Sequence, residues 1–151
     1  MKLSRNFSLN ELTKSQTATR LGIDNTPSDA EVESLKALCK AILQPVREHY
    51  AVPFAPSSGY RSVELCKAIG SSAKSQHARG EAADFEVPGI DNYELACWIR
   101  DNLTFDQLIL EFYKPGDPSS GWVHCSFKDT GRNRRECLTF NGKEYKKGLI
   151  Q

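Results

Sequence analysis

Histidine is scarce in this chain, and pairs of cysteines at short spacing are missing. The 151 residues include three histidines and five cysteines. No His-Glu-x-x-His segment occurs, which excludes a metal site carried on one helix in the zincin manner. No Cys-x-x-Cys pair occurs either, and the cysteine count is odd. These features predict reduced, mostly buried thiols rather than a disulfide framework.

Long apolar runs and an excess of charge of one sign are also missing. The formal net charge is +1, so we expect no nucleic-acid partner and no strong attraction to an anionic membrane. The basic segment Arg132–Arg135 is predicted to be a solvated loop. No run approaches transmembrane length, and none follows Met1–Asn6 as a signal peptide requires. We therefore expect synthesis in the cytoplasm without a signal peptide and no membrane insertion.

The patterns that are present predict one α+β domain over residues 1–151. Ser8–Glu11 and Ser28–Glu31 have the spacing of capping boxes, and the second opens the main helix, with Pro45 kinking it near its end. Strands are expected near residues 82–87, 105–113 and 122–127, with a possible edge strand at 137–140. The expected architecture is N-terminal helices packed on a small antiparallel sheet, with the second and third strands forming a hairpin.

Two of the three histidines lie in segments that also offer a carboxylate. His77 precedes a turn at Gly80 and a strand that bears Asp84, and His124 lies on a later strand. Imidazole and carboxylate are ligands for zinc, and three protein ligands leave a fourth position open, as in catalytic sites. The residues therefore predict one zinc ion held by His77, Asp84 and His124. Cys125 would point to the opposite face, into the core.

Strand alternation adds a carboxylate to this group. Trp122, His124 and Ser126 share one face of their strand, while Ile109 and Glu111 share one face of the partner. If the register brings these faces together, Glu111 lies beside the metal. A carboxylate there can take a proton from the attacking water and pass it to the leaving amine.

Three motifs together resemble a known family. Ser58-Gly59-Tyr60-Arg61, then Ser-x-His-x-x-Gly-x-Ala-x-Asp over 75–84, then Trp122-Val123-His124 are similar to the zinc D-Ala-D-Ala carboxypeptidases, which include phage murein endopeptidases. The similarity covers Phe7 to Ser126, and the opening segments look like small single-domain phage and prophage members. It implies the hedgehog/DD-peptidase fold, the same three zinc ligands, and hydrolysis of peptidoglycan stem peptides by a monomer.

The resemblance also implies roles for neighbouring residues. Arg61 would polarise the scissile carbonyl or stabilise its oxyanion, and Ser75, Gln76 and Trp122 would bind substrate. The enzyme would reach the cell wall after release by another factor or as part of a virion. The chain leaves open whether it is a carboxypeptidase or an endopeptidase.

One position departs from the family pattern. Many relatives carry the catalytic acid three residues before the last histidine, where this chain has Gly121. Either Glu111 supplies the carboxylate from the neighbouring strand, with Glu81 and Glu86 as weaker candidates, or catalysis is impaired. The alternative function is therefore a non-catalytic module that binds wall peptides or forms part of a virion.

Overall fold

A computed structural model of the chain describes residues 1–129 and 131–150. The α-helices are α1 (Leu9–Thr13), α2 (Gln16–Leu21), α3 (Asp29–Leu38), α4 (Gln44–Tyr50), α5 (Val63–Ala68) and α6 (Asn92–Asn102). A π-helical segment (Cys39–Leu43) joins α3 to α4, and a 3-10 helix (Gln76–Arg79) precedes the sheet. The strands are β1 (Ala82–Phe85), β2 (Gln107–Glu111), β3 (Trp122–Ser126), β4 (Glu136–Phe140) and β5 (Tyr145–Lys147). The predicted α+β class is confirmed.

Local sequence determines where the first helices begin. At α1 the Ser8 hydroxyl accepts from the Glu11 backbone N–H, while the Glu11 carboxylate accepts from the Ser8 backbone N–H. Ser28 and Glu31 form the same reciprocal pair at α3. Each pair satisfies two backbone donors that would otherwise have no intrahelical partner, so both predicted capping boxes are confirmed.

The main helix changes its geometry just before Pro45. The π-helical segment lies directly N-terminal to α4, and Pro45 occupies the first turn of α4. Proline donates no N–H, so a helix that continues through it needs local rearrangement of the preceding turn. The apolar side chains that this helix contributes to the core are those of Leu35, Leu38, Cys39, Ile42 and Val46. No helix in the described part of the chain is long and apolar enough to cross a membrane.

The five strands form one mixed sheet in the order β1-β3-β2-β4-β5. The predicted hairpin is confirmed, because β2 and β3 pair antiparallel. The expectation of a wholly antiparallel sheet needs correction, because β4 pairs parallel with β2. The strand β4, which was predicted as a possible edge strand, is therefore internal, and β5 is the edge strand beside it.

The residues just before β4 explain this placement. Arg134 donates to both carboxylate oxygens of the buried Asp106, from Nε at 3.0 Å and Nη2 at 2.9 Å. Arg135 lies over the Phe105 ring, 5.1 Å from its centroid. These contacts hold the chain at the start of β2, so that β4 runs alongside it. Arg134 and Arg135 lie in an exposed loop, as predicted, but both also make specific contacts with the start of β2.

The sheet has one apolar face and one polar face. Alternate residues of β1, β2 and β3 pack against the helices: Ala83, Phe85, Leu108, Leu110, Val123 and Cys125. Cys125 is thus a core residue, as predicted. The intervening positions, among them Asp84 and His124, face away from this core. The polar face carries the candidate site.

Candidate metal centre and catalytic cleft

Three separate segments bring His77, Asp84 and His124 together. His77 lies on the 3-10 helix, while Asp84 on β1 is directly opposite His124 on β3. One nitrogen or oxygen from each residue lies within 4.8 Å of the other two. Nε2 of His77 is 3.4 Å from Oδ1 of Asp84, and Nδ1 of His124 is 2.9 Å from the same oxygen. These three side chains could hold one metal ion.

The backbone fixes the orientation of the His77 ring. Nδ1 of His77 lies 2.7 Å from the carbonyl oxygen of Gly59, which only accepts hydrogen bonds. The proton of the neutral ring therefore resides on Nδ1, and the lone pair of Nε2 points toward Asp84. This is the arrangement by which an outer partner selects the ligating nitrogen of a histidine.

Ser75 holds the backbone of His77 rather than its ring. Its hydroxyl accepts from the His77 backbone N–H at 3.2 Å and caps the 3-10 helix. Ser75 also lines the cleft, so its predicted role in substrate binding stays a prediction. Capping is the role that its contacts display.

Asp84 is held as a carboxylate by the groups around it. Burial alone would raise the pKa of Asp84, but the nearby His124 and His77 outweigh burial and leave this pKa well below its usual value. Nη2 of Arg61 donates to Oδ2 of Asp84 at 3.1 Å, and Nε of Arg61 donates to Ser58 at 2.7 Å. An ionised carboxylate is the form that binds a metal ion.

Glu111 lies where the strand alternation predicted. Ile109 is opposite His124, and Glu111 is opposite Trp122, so both carboxylate and ligand occupy the polar face. Burial raises the pKa of Glu111, and the charge of Asp84 raises it further. Nε1 of Trp122 donates to Oε2 of Glu111 at 2.8 Å. Trp122, predicted to bind substrate, thus holds the candidate base in place.

Gly121 cannot be replaced by an acidic residue in this fold. A Cβ atom at Gly121 would lie 2.0 Å from the carbonyl oxygen of Glu111, and φ is +67°. No side chain fits there without moving β2. The neighbouring carboxylate is that of Glu111, on the adjacent strand β2.

The two weaker candidates for the base do not reach the cluster. Oε1 of Glu86 accepts from the side-chain amide of Asn92 at 3.0 Å, and Glu86 lines a separate groove beside Pro88. Glu81 does not line the cleft, and its Oε1 is buried without a hydrogen-bond partner. Glu111 is therefore the carboxylate best placed for proton transfer.

A cleft of about 590 Å³ surrounds these groups. Gln76 is on its wall, where Nε2 donates to Oδ2 of Asp106 at 3.0 Å and so links the 3-10 helix to the start of β2. Most charged side chains that line the cleft are cationic: Arg61, Lys74, Arg79, Lys128 and Arg134, against Asp84 and Glu111. Sequence patterns did not place Tyr145, Lys128 or Arg134 at the cleft, although all three line it.

The third histidine is not part of the cluster. The His49 ring stacks on Trp98, with centroids 4.2 Å apart. His49 is exposed on α4 and contacts Trp98 of α6, away from the cluster.

Comparison with known families agrees with this site. A family model described as Peptidase M15 matches residues 5–126, which include all three candidate ligands, Arg61 and Glu111. No curated protein matches the chain. Because the matched segment covers most of the 151 residues, the chain belongs to the peptidase M15 family.

Proposed function

We propose that this protein is a zinc-dependent peptidase that hydrolyses the stem peptides of bacterial peptidoglycan. The observation that carries the proposal is the His77–Asp84–His124 cluster beside Glu111 in an open cleft. Two imidazoles and one carboxylate suit zinc and leave a coordination position for water or substrate. The Nδ1-protonated His77 and the ionised Asp84 are in the states that ligation requires.

The residues around the metal position have separate tasks. Zinc, when bound, supplies Lewis-acid polarisation of the scissile carbonyl and makes water more acidic. Glu111 accepts the proton of the attacking water and returns it to the leaving amine. Its raised pKa suits a group that must first hold and then release a proton. Arg61 keeps Asp84 oriented and offsets negative charge that develops on the substrate oxygen.

The charge of the cleft supports stem peptides as substrates. Such peptides carry free carboxyl groups, and Lys74, Arg79, Lys128 and Arg134 line the cleft without an equal number of acids. Electrostatic complementarity of this kind favours encounter with an anionic ligand. Action as a monomer, and access to the wall by release or as part of a virion, are further parts of the proposal.

Hydrolysis of purified muropeptides by zinc-loaded protein tests this function. Mass spectrometry of the products would also identify the cleaved bond and separate carboxypeptidase from endopeptidase. Glu111→Gln should lower turnover by about 10²–10⁴-fold while zinc stays bound, since Glu111 is not among the ligands. Glu86→Gln is the matched control, because it removes a carboxylate outside the cleft, and it should retain activity.

Two results would contradict the proposal. Near-wild-type turnover by Glu111→Gln would reject Glu111 as the base. Wild-type protein that binds wall peptides but cleaves none would replace the peptidase with the non-catalytic binding module.

A further inference from the structure

A row of aromatic side chains crosses four strands beside Glu111. Trp122 on β3, Glu111 on β2, Phe140 on β4 and Tyr145 on β5 are directly opposite one another in successive strand pairs. Directly opposed residues project from the same face of a sheet. Trp122, Phe140 and Tyr145 therefore share the polar face with the metal cluster. Together with Phe112 they form what we call the aromatic row.

Phe112 joins the row through an unusual backbone conformation. Its φ is +57°, a left-handed value that is rare for a bulky residue. This places its ring 5.1 Å from the Trp122 ring and 5.4 Å from the Phe140 ring, measured between centroids. The Phe112 backbone N–H donates to the carbonyl of Phe140 at 2.9 Å and holds the turn.

A glycine on the facing loop makes room for the Phe112 ring. A Cβ atom at Gly142 would lie 2.8 Å from Cε1 of Phe112. The Phe112 ring thus reaches this surface through a left-handed backbone conformation at Phe112 and a close contact with Gly142. Backbone strain of this kind concentrates at functional sites.

The aromatic row is exposed and continuous with the cleft. Phe112 is 42% exposed and Tyr145 is 57% exposed. The Phe140 and Tyr145 rings stack with centroids 4.3 Å apart and an angle of 22° between their planes. Trp122 and Tyr145 both line the cleft. Burial raises the pKa of Tyr145, and the negative charge of the nearby Glu111 raises it further. A ligand that follows the cleft past Glu111 therefore meets these rings.

The cationic part of the cleft lies at its other end. Arg134 is anchored to Asp106, immediately before β2, and Lys128 follows the end of β3 that pairs with this region. The aromatic row lies at the opposite ends of the same two strands, with the His124 position between them. Glu111 is four positions after Gln107 on β2, which corresponds to a distance of about 13 Å along the strand. The two ends of the cleft thus differ in chemistry.

We propose that the aromatic row binds sugar rings of the glycan strand to which the peptide substrate is attached. This rests on the proposed function. The C–H faces of a pyranose ring complement the electron-rich faces of aromatic rings, while its hydroxyl groups stay in water. A stem peptide is joined to the sugar strand at its amino end and carries free carboxyl groups further along. The carboxyl groups of the substrate would lie at the cationic end of the cleft and its sugar at the aromatic row. The substrate would therefore bind in a single orientation.

Binding of chitotetraose, an oligomer of N-acetylglucosamine, tests the inference without relying on catalysis. Calorimetric titration should show binding to wild type, and Tyr145→Leu should weaken it by about five- to tenfold, because a stacking surface is lost. Tyr145→Phe keeps the ring and should bind within about twofold of wild type. Leu21→Ala removes an exposed apolar side chain from α2 and serves as the control for general surface effects.

A second measurement uses two substrates, a free stem peptide and the same peptide linked to its disaccharide. Wild type should have the lower KM for the sugar-linked peptide, and Tyr145→Leu should bring the ratio of the two KM values close to one. Equal KM values in wild type together with no binding of chitotetraose would overturn the inference while leaving the peptidase intact.

Other outcomes separate the inference from the proposed function. Sugar binding that depends on the Tyr145 ring, in a protein that cleaves no peptide, would support the inference and reject the peptidase. If wild type binds no sugar and Tyr145→Leu converts a dimer to a monomer in size-exclusion chromatography, a second copy of the chain covers the row and the inference is wrong.

Discussion

At the scale of single residues, neighbouring groups hold the candidate metal ligands in place. His77 has its ring fixed by the Gly59 carbonyl, and Asp84 is held by Arg61 and His124. A pre-oriented cluster loses little freedom when it binds a ligand, and binding then stabilises the folded state by mass action.

Zinc should therefore raise the thermal stability of the metal-free protein. At about one hundred times its Kd, a ligand stabilises by about 2.7 kcal/mol. For a chain of 151 residues this corresponds to a rise in Tm of about 5–10 °C. Differential scanning calorimetry should show this rise in wild type and in His49→Ala, whose histidine stacks on Trp98 instead. The same rise in a His77→Ala/His124→Ala double variant would refute the ligand assignment.

Trp122 controls the protonation of Glu111 through one hydrogen bond. The indole N–H stabilises the charged carboxylate and lowers the pKa of Glu111, against the larger raising effect of burial. Trp122→Phe removes this donor, so the pKa of Glu111 should rise further. Because the base acts only when unprotonated, the acidic limb of the kcat/KM profile should move to higher pH.

The pH profile distinguishes this positioning role from simple packing. At pH values below the shifted acidic limb, we expect turnover to fall about three- to tenfold. This factor corresponds to the free energy of one hydrogen bond. Trp98→Phe is the matched control, since Trp98 packs beside His49 and Tyr50. If the rate falls but the acidic limb of the kcat/KM profile stays at the same pH, Trp122 contributes only packing.

At the scale of elements, the turn before β3 determines where Glu111 lies. Gly121 has φ +67°, and a Cβ atom would lie 2.0 Å from the Glu111 carbonyl oxygen. Gly116, in the same connection between β2 and β3, has φ +87° but no atom within 4 Å of a built Cβ. The two glycines therefore share the conformational requirement but not the close contact.

Gly121→Ala should cost more than Gly116→Ala in both stability and activity. Gly116→Ala should lower the free energy of unfolding by about 1–2 kcal/mol, because alanine is strained in the left-handed conformation. Gly121→Ala must also displace β2 and should cost at least twice as much, with a loss of turnover because Glu111 moves. Urea unfolding and peptide hydrolysis measure the two effects. Equal costs for both variants would show that β2 yields easily at this point.

At the scale of the whole molecule, all five cysteines are free thiols. Cys39, Cys66 and Cys125 are buried, whereas Cys97 and Cys137 are partly exposed. Burial raises the pKa of Cys39 to about 12, and the nearby Glu11 adds to this. Burial likewise raises the pKa of Cys125. A thiol with a raised pKa forms little of the reactive thiolate.

Thiol titration should therefore proceed in two stages. In the native protein only Cys97 and Cys137 should react rapidly with a disulfide reagent, and the other three should react when the protein unfolds. Under denaturing, non-reducing conditions the total should be five. A reproducible total of one would mean that two disulfides form in the isolated protein.

The amino-acid sequence alone determined the features that depend on near neighbours. Both capping boxes join residues three positions apart, and strand alternation places Glu111 and His124 on one face of a hairpin. The nearness of His77 and Asp84 was predictable for a similar reason, since the two lie seven residues apart around Gly80, whereas His124 lies 40 residues from Asp84. Interactions of short range leave a pattern that can be recognised in a single sequence.

Only the tertiary structure decided the rest of the site. The parallel pairing of β4 with β2 depends on Arg134 reaching Asp106, 28 residues away, and no periodicity marks such a pair. That pairing brings Phe140 and Tyr145 beside Glu111. Contacts between distant segments arise from packing of the whole chain, so the composition of the cleft is a property of the fold.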